Sequence, residues 1–321
     1  MSEAVVAVDH VTKRFAGHTA VDALSISVPS GVIYGLLGPN GAGKTTTIRM
    51  IMDIYEPDAG SVRLFGNAGG GGRAHSERIG YLPEERGLYP RMRVLDVLVF
   101  LAEAKGMQRR AARTKATEWL ERLGLADWRL RKVSELSKGM QQKVQFISTI
   151  LHDPDLVILD EPFSGLDPVN SQVLRDTVVD WRRRGKTILF STHIMEHAEK
   201  LCDQLCIIAR GKKLVDGLLS AVKQTHGGKH VTVAFDGAAG SAASVLADRR
   251  LVAKADDYGH YAELELAAGA DPQEILRGLV SAGARLTKFE LVEPTLNKIF
   301  IDLVGPDAAR AAAVPETPVR A

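Results

Sequence analysis

The sequence predicts an α/β core of alternating buried strands and helices, with an antiparallel β subdomain and a mostly helical subdomain, followed by a small α+β domain. Three observations predict it. The apolar run Val32-Ile33-Tyr34-Gly35-Leu36-Leu37 feeds the glycine-rich string Gly38-Pro39-Asn40-Gly41-Ala42-Gly43-Lys44-Thr45-Thr46, after which Ile48, Ile51 and Met52 recur at helical spacing. A second apolar run, Leu156-Val157-Ile158-Leu159, ends on the paired carboxylates Asp160 and Glu161. The composition then shifts at Thr225-His226-Gly227-Gly228, and shorter strands and helices follow. With 321 residues, 45% of them hydrophobic and 25% charged, the chain can bury one large or two ordinary cores.

Taken in order, Ala4-Val5-Val6-Ala7-Val8 and Leu24-Ser25-Ile26-Ser27-Val28 alternate as half-buried antiparallel strands do. The glycine-rich string opens the first helix. Pro57-Asp58-Ala59-Gly60 reads as a turn, residues 61 to 66 as a strand, and residues 69 to 72, all glycine, as a surface loop without the Lys-Ser/Thr that a phosphate motif needs. A short strand at 78 to 83 precedes a helical insertion over about 88 to 150, with apolar periodicity at 94 to 101, 114 to 123 and 141 to 151. The strand ending at Asp160 follows, then a turn at 164 to 168, a helix through Trp181, a strand at 187 to 192 ending before His193, a hairpin over 206 to 215 and a helix at 218 to 223. These elements are assigned to a first domain over residues 1 to 224. Residues 229 to 304 read as strand, helix, strand, strand, helix, strand and an added helix, a ferredoxin-like order, and 305 to 321, rich in Ala and Pro, as a disordered tail.

The chemistry starts at the glycine-rich string. Glycines let backbone N–H groups turn inward around an anion, and the following helix adds partial positive charge at its N-terminus. Lys44 can reach outer phosphates, and Thr45 can offer its hydroxyl to Mg²⁺. A plain turn from strand to helix would need none of this, and the strand before and helix after favour a nucleoside triphosphate site. Carboxylates at the carboxyl end of a core strand sit where ligands of open α/β sheets gather. Asp160 is therefore placed to hold Mg²⁺ through water, and Glu161 to polarise an attacking water. His193, at the tip of another core strand, can donate to a γ-phosphate. Phe15, alone in a polar turn, could stack on a nucleobase or fill a hydrophobic gap, and the residues alone favour the gap. Ser137 and Gly139 open a helix, which is an ordinary N-cap in isolation and a second possible anion site.

Bulk properties exclude several classes. A net charge of +2 with interspersed signs leaves no strong field for a polyanion, so nucleic acid is not an expected partner. No secretory leader is expected, and the best apolar stretch, residues 94 to 102, is half the ~20 residues of a spanning helix and contains Asp96, so direct membrane insertion is not expected. Cys202 and Cys206 are too few for a disulfide framework and read as reduced thiols, consistent with the cytosol.

Gly38 to Thr45, Leu136 to Met140, Asp160-Glu161, Ser164 to Asp167 and His193 follow one another in the order and spacing of ABC-type ATPases, and the chain resembles the ATP-binding subunit of an ABC transporter over residues 1 to about 222. The remainder is similar to the small C-terminal domain of export-type subunits in the sodium-extrusion and drug-resistance group. The resemblance implies a P-loop ATPase core, ATP and Mg²⁺ as cofactors, and a homodimer that closes around two ATP molecules. It also implies an integral-membrane permease as partner and a cytoplasmic location on the inner face of the membrane through that permease. In this pattern Phe15 matches the aromatic residue that stacks on adenine, reversing the preference for the gap, and Ser137 and Gly139 match the signature that contacts the γ-phosphate bound by the other subunit. His193 matches the residue linking the γ-phosphate to the dimer interface. Three positions depart from it: Lys138 replaces a Gly, Met140 a Gln, and Glu84 the Gln that senses Mg²⁺ and the attacking water, a change that Lys138 or Arg86 could offset. The alternative is a soluble ABC-type ATPase acting on nucleic acid or ribosomes. The DNA-acting relatives need a long coiled coil between phosphate loop and signature, and the ribosome-type relatives two cassettes; about ninety residues without sustained heptads separate Lys44 from Ser137, and the chain has one cassette.

Overall fold

The chain runs through two compact units that divide between Gly217 and Leu218. The computed structural model describes residues 4 to 305 apart from 69 to 71, 73, 86, 227 to 229, 237 to 241 and 268. Most of the expected glycine loop, Arg86 and the expected tail beyond Gly305 thus lie outside the described residues.

In the first unit, β1 (Ala4–Phe15) and β2 (His18–Pro29) form one antiparallel hairpin. Each is more than twice the length expected from alternation, because register shifts along the pair and left-handed residues at His10 and Ala23 interrupt the two-residue period. β3 (Ile33–Leu37) is buried at every residue and leads into α1 (Lys44–Ile51). β4 (Ala59–Leu64) pairs with β1, and β5 (Asn67–Ala68) with β4, closing a sheet of order β2-β1-β4-β5.

β6 (Ile79–Leu82) precedes three helices, α2 (Val94–Glu103), α3 (Arg109–Arg122) and α4 (Lys138–Ile150), which pack on one another through stripes such as Val94, Leu98 and Ala102, Ala112, Ala116 and Leu120, and Val144 and Ile147. These are the expected helical insertion. β7 (Leu156–Asp160), α5 (Pro168–Arg183) and β8 (Thr187–Thr192) restore the alternation. Asp167 caps α5, its Oδ1 accepting from the Asn170 amide at 2.9 Å, with Pro168 at the first helical position. α6 (Met195–Leu201), which the periodicity did not reveal in so short a segment, separates β8 from β9 (Gln204–Ala209) and β10 (Lys212–Leu218).

The second sheet has order β10-β9-β3-β8-β7-β6, with β9, β3, β8, β7 and β6 parallel. A single core joins both sheets: Val8, Val21 and Ile26 of the hairpin meet Ile48 and Ile51 of α1 and Leu36, Ile158 and Ile208 of the central sheet. Both cysteines are free thiols buried in this unit, and burial pushes both well above the usual thiol range.

The second unit begins with α7 (Leu219–His226), which the composition shift had left with the first domain. Val222 is buried, Lys223 pairs with Glu293 at 3.7 Å, and the helix packs on the last helix of this unit. The elements then run β11 (His230–Phe235), α8 (Ala243–Leu246), β12 (Val252–Asp257), β13 (Tyr261–Leu266), α9 (Pro272–Ser281), β14 (Leu286–Val292) and α10 (Leu296–Val304). The strands form an antiparallel sheet of order β12-β13-β11-β14, the ferredoxin-like arrangement, over a core of Val231, Val233, Leu264, Ile275 and Leu279.

Candidate active site

The site forms where β3, β7 and β8 end side by side. Parallel pairing sets Leu37 opposite Thr192 and Asp160 opposite Ser191, so the start of the glycine-rich loop, the two carboxylates and the segment before His193 share one edge. The Gly38 amide donates to the Thr192 carbonyl at 3.3 Å. Asn40, Gly41, Ala42, Gly43, Lys44, Thr45 and Thr46 line a cleft of about 320 Å³ together with Glu84 and Glu161.

Glycine is required here for two separate reasons. A side chain on Gly38 would stand 2.2 Å from the Ile208 carbonyl, and on Gly43 2.4 Å from that of Ala20, while Gly43 also has φ +103°. Gly43 caps α1 with no side-chain acceptor, and the first turn holds no acidic residue, so the helix N-terminus presents free N–H donors to the cleft. Lys44, 6% exposed, donates to the carbonyls of Gly38 at 2.8 Å and Pro39 at 3.1 Å and lies 3.5 Å from Glu161 Oε1. Burial lowers its pKa, and Glu161 opposes the shift.

Glu161 leaves β7 in the left-handed region, φ +48°, a conformation that costs a non-glycine residue about 1 kcal/mol or more. Its amide donates to Ser191 Oγ at 3.1 Å, and its carboxylate receives Thr192 Oγ1 at 3.3 Å and meets His193 Nδ1 at 2.9 Å. Asp160 lies beneath, fully buried. Ser191 Oγ donates to its Oδ1, and its Oδ2 has no hydrogen-bond partner. Burial raises the Asp160 pKa, while the Ser191 hydrogen bond and the Thr45 hydroxyl pull it down. An orphaned carboxylate oxygen beside Thr45 fits a hard divalent cation such as Mg²⁺. Among the described residues no three His, Cys, Asp or Glu side chains converge as a complete metal cage, so such an ion would draw further ligands from phosphate and water, as Mg²⁺ does.

Glu84 enters the cleft wall on the loop after β6. Buried Gln145 of α4 donates from Nε2 to the carbonyls of Pro83, 3.4 Å, and Glu85, 3.1 Å, fixing the backbone on both sides of it. Burial, then the charges of Asp160 and Glu161, push the Glu84 carboxyl above the usual carboxylate range. Lys138 does not line this cleft.

The structure does not gather every expected residue. Phe15 sits at the hairpin tip, 40% exposed, in edge contact with Tyr55 at 5.5 Å, and is not among the cleft-lining residues; His18 and Ala20, which no sequence signal marked, are. Ser137 caps α4, its Oγ accepting from the Met140 amide at 3.3 Å, and neither it nor Gly139 lines the cleft. His193 does not line the cleft either: it touches Glu161 and borders a second opening with Ser164, Gly165 and His197. Ser191, Thr192 and Gln145 are contributors that become visible only once strand and helix neighbours are known.

The profile of the ABC transporter family matches residues 21–164, and that of the ATP-binding protein DrrA1-3-like C-terminal domain matches 217–304. The chain is 46% identical over 299 residues to the uncharacterized ABC transporter ATP-binding protein YhaQ of Bacillus subtilis (strain 168), covering 93% of this chain and 98% of that one. It is 40% identical over 218 residues to the Nod factor export ATP-binding protein I of Burkholderia orbicola (strain AU 1054), covering 68% and 72%. A solved ATP-binding subunit of an ABC transporter aligns with TM-score 0.65 and 29% identity over 69% of this chain and 92% of the other.

Proposed function

This chain belongs to the ATP-binding proteins of ABC transporters, and from that membership we propose the roles of its residues. It is an ATP-hydrolysing transporter subunit. Water attacks the γ-phosphorus in line, forming one P–O bond as the bond to the bridging oxygen breaks. Glu161 accepts the proton of that water, and His193, in contact with the same carboxylate oxygen as Lys44, holds it in position and reaches the γ-phosphate. Lys44 and the N–H groups of the loop and α1 stabilise charge on the phosphates. Asp160, Thr45 and Glu84 are the residues that would hold Mg²⁺. Magnesium, when bound, neutralises charge on the β- and γ-phosphates.

Two copies close around two ATP molecules, with Ser137 and Gly139 of each facing the other's γ-phosphate. Phe15 stacks on the adenine, an assignment supported by its exposure at the tip of the hairpin whose later residues enter the cleft wall. Among the described residues no helix is long and apolar enough to cross a membrane, so a separate permease is proposed to hold the subunit at the inner face. Export is the proposed direction, supported by the Nod factor export relative and the DrrA1-3-like match.

The observation that carries the reading is the meeting of Lys44, Glu161 and His193 at an open helix N-terminus. Affinity capture of the chain from detergent-solubilised cells tests it: a multi-span permease should co-purify stoichiometrically, and recovery of ribosomes or DNA in its place would overturn the transporter role.

A further inference from the structure

The cleft carries carboxylates although the proposed ligand is a polyanion. Glu84 and Glu161 line it with Lys44, and Asp160 lies beneath with an unpartnered buried oxygen. Lys44 is the one Lys or Arg among the described lining residues, and it already faces Glu161 at 3.5 Å. Buried Gln145 holds the backbone carbonyls on either side of Glu84, which keeps its exposed side chain rooted at the cleft wall. A bare triphosphate, with about four negative charges, would meet two carboxylates at the lining and a third below it.

We propose that Glu84 makes this site selective for the metal complex of the nucleotide: metal-free ATP is rejected by the Glu84 carboxylate, and ATP accompanied by a divalent cation is accepted because Glu84 and Asp160 face that cation. The inference rests on the ATP-binding reading above and adds a requirement to it. A neutral amide at this position would tolerate the bare anion. A carboxylate turns the same position into a check on the form of the substrate. Gln145 is a positioning residue in this account, acting through the loop it holds.

The effect is readable in binding alone. At an effective dielectric of about 20, removing one like charge about 6 to 12 Å from an anion changes its affinity by roughly one to two orders of magnitude. Calorimetric titration of ATP into the full chain, in Mg²⁺ and in EDTA, gives the ratio of the two dissociation constants. Glu84→Gln should lower that ratio about tenfold or more, mainly through tighter binding in EDTA. Glu84→Ala should move it the same way, which separates charge from amide bonding, and exposed Glu85→Gln should leave it at the wild-type value. A ratio in both Glu84 variants within about twofold of wild type would overturn the inference while leaving ATP binding intact. Absence of ATP binding by the wild type in both buffers would overturn the nucleotide reading itself, and this inference with it.

Discussion

The ring nitrogen Nδ1 of His193 lies 2.9 Å from Oε1 of Glu161, the oxygen that also faces Lys44 at 3.5 Å. This pairing links the tip of β8 to the end of β7 and supports the proposed role of His193 in orienting Glu161 as the base. His193→Ala should lower kcat about 10²-fold, the low end for a group serving acid–base chemistry, and leave ATP affinity within about twofold. Steady-state phosphate release with a parallel binding titration checks this. An unchanged kcat would remove His193 from the reaction.

The glycine loop makes a graded prediction. Gly41 and Gly43 both have positive φ, +74° and +103°, but a Cβ on Gly41 meets open space, whereas on Gly43 it would lie 2.4 Å from the Ala20 carbonyl. Gly41→Ala should cost about 1 kcal/mol of stability, and Gly43→Ala roughly 2 to 4 kcal/mol, since relieving that contact must move backbone. Denaturant unfolding of the two variants measures the difference. Equal costs would mean that the loop relaxes freely.

Local signals were legible where one contiguous segment makes the structure. The strand, loop and helix around Lys44, and the strand ending at Asp160 and Glu161, need only apolar periodicity and a glycine string. Interactions set by register were not: Ser191 reaches Asp160 because two strands thirty residues apart pair in parallel. Gln145 likewise reaches the Glu84 loop from a helix some sixty residues later. The unit boundary moved to Gly217 for the same reason, because α7 is assigned by its packing on α10, and the glycines that mark the composition shift fall after that helix.

That boundary makes a third prediction. A chain ending after Gly217 keeps every residue of the cleft and should bind ATP with affinity within about threefold of the full chain. The second unit, whose described residues hold no group of three His, Cys, Asp or Glu placed to bind a metal, is proposed to serve dimer contact or regulation. Sizing chromatography and basal turnover of the truncated chain should therefore change even though binding does not. Identical association and turnover would contradict the regulatory role.

Paired variants test most directly the proposal that ATP is held by Lys44 and hydrolysed with Glu161 as base. Glu161→Gln should bind ATP as wild type does, lower turnover by ~10² to 10⁴, and accumulate a dimer on sizing chromatography with ATP and Mg²⁺. Lys44→Ala should lose measurable affinity and all turnover, since Lys44 is the one Lys or Arg among the described cleft-lining residues. The decisive measurement is ATP binding and phosphate release for both variants beside the wild type. Binding retained with turnover lost in Glu161→Gln, and both lost in Lys44→Ala, is the predicted result. Wild-type turnover in Glu161→Gln, or wild-type ATP affinity in Lys44→Ala, would contradict it.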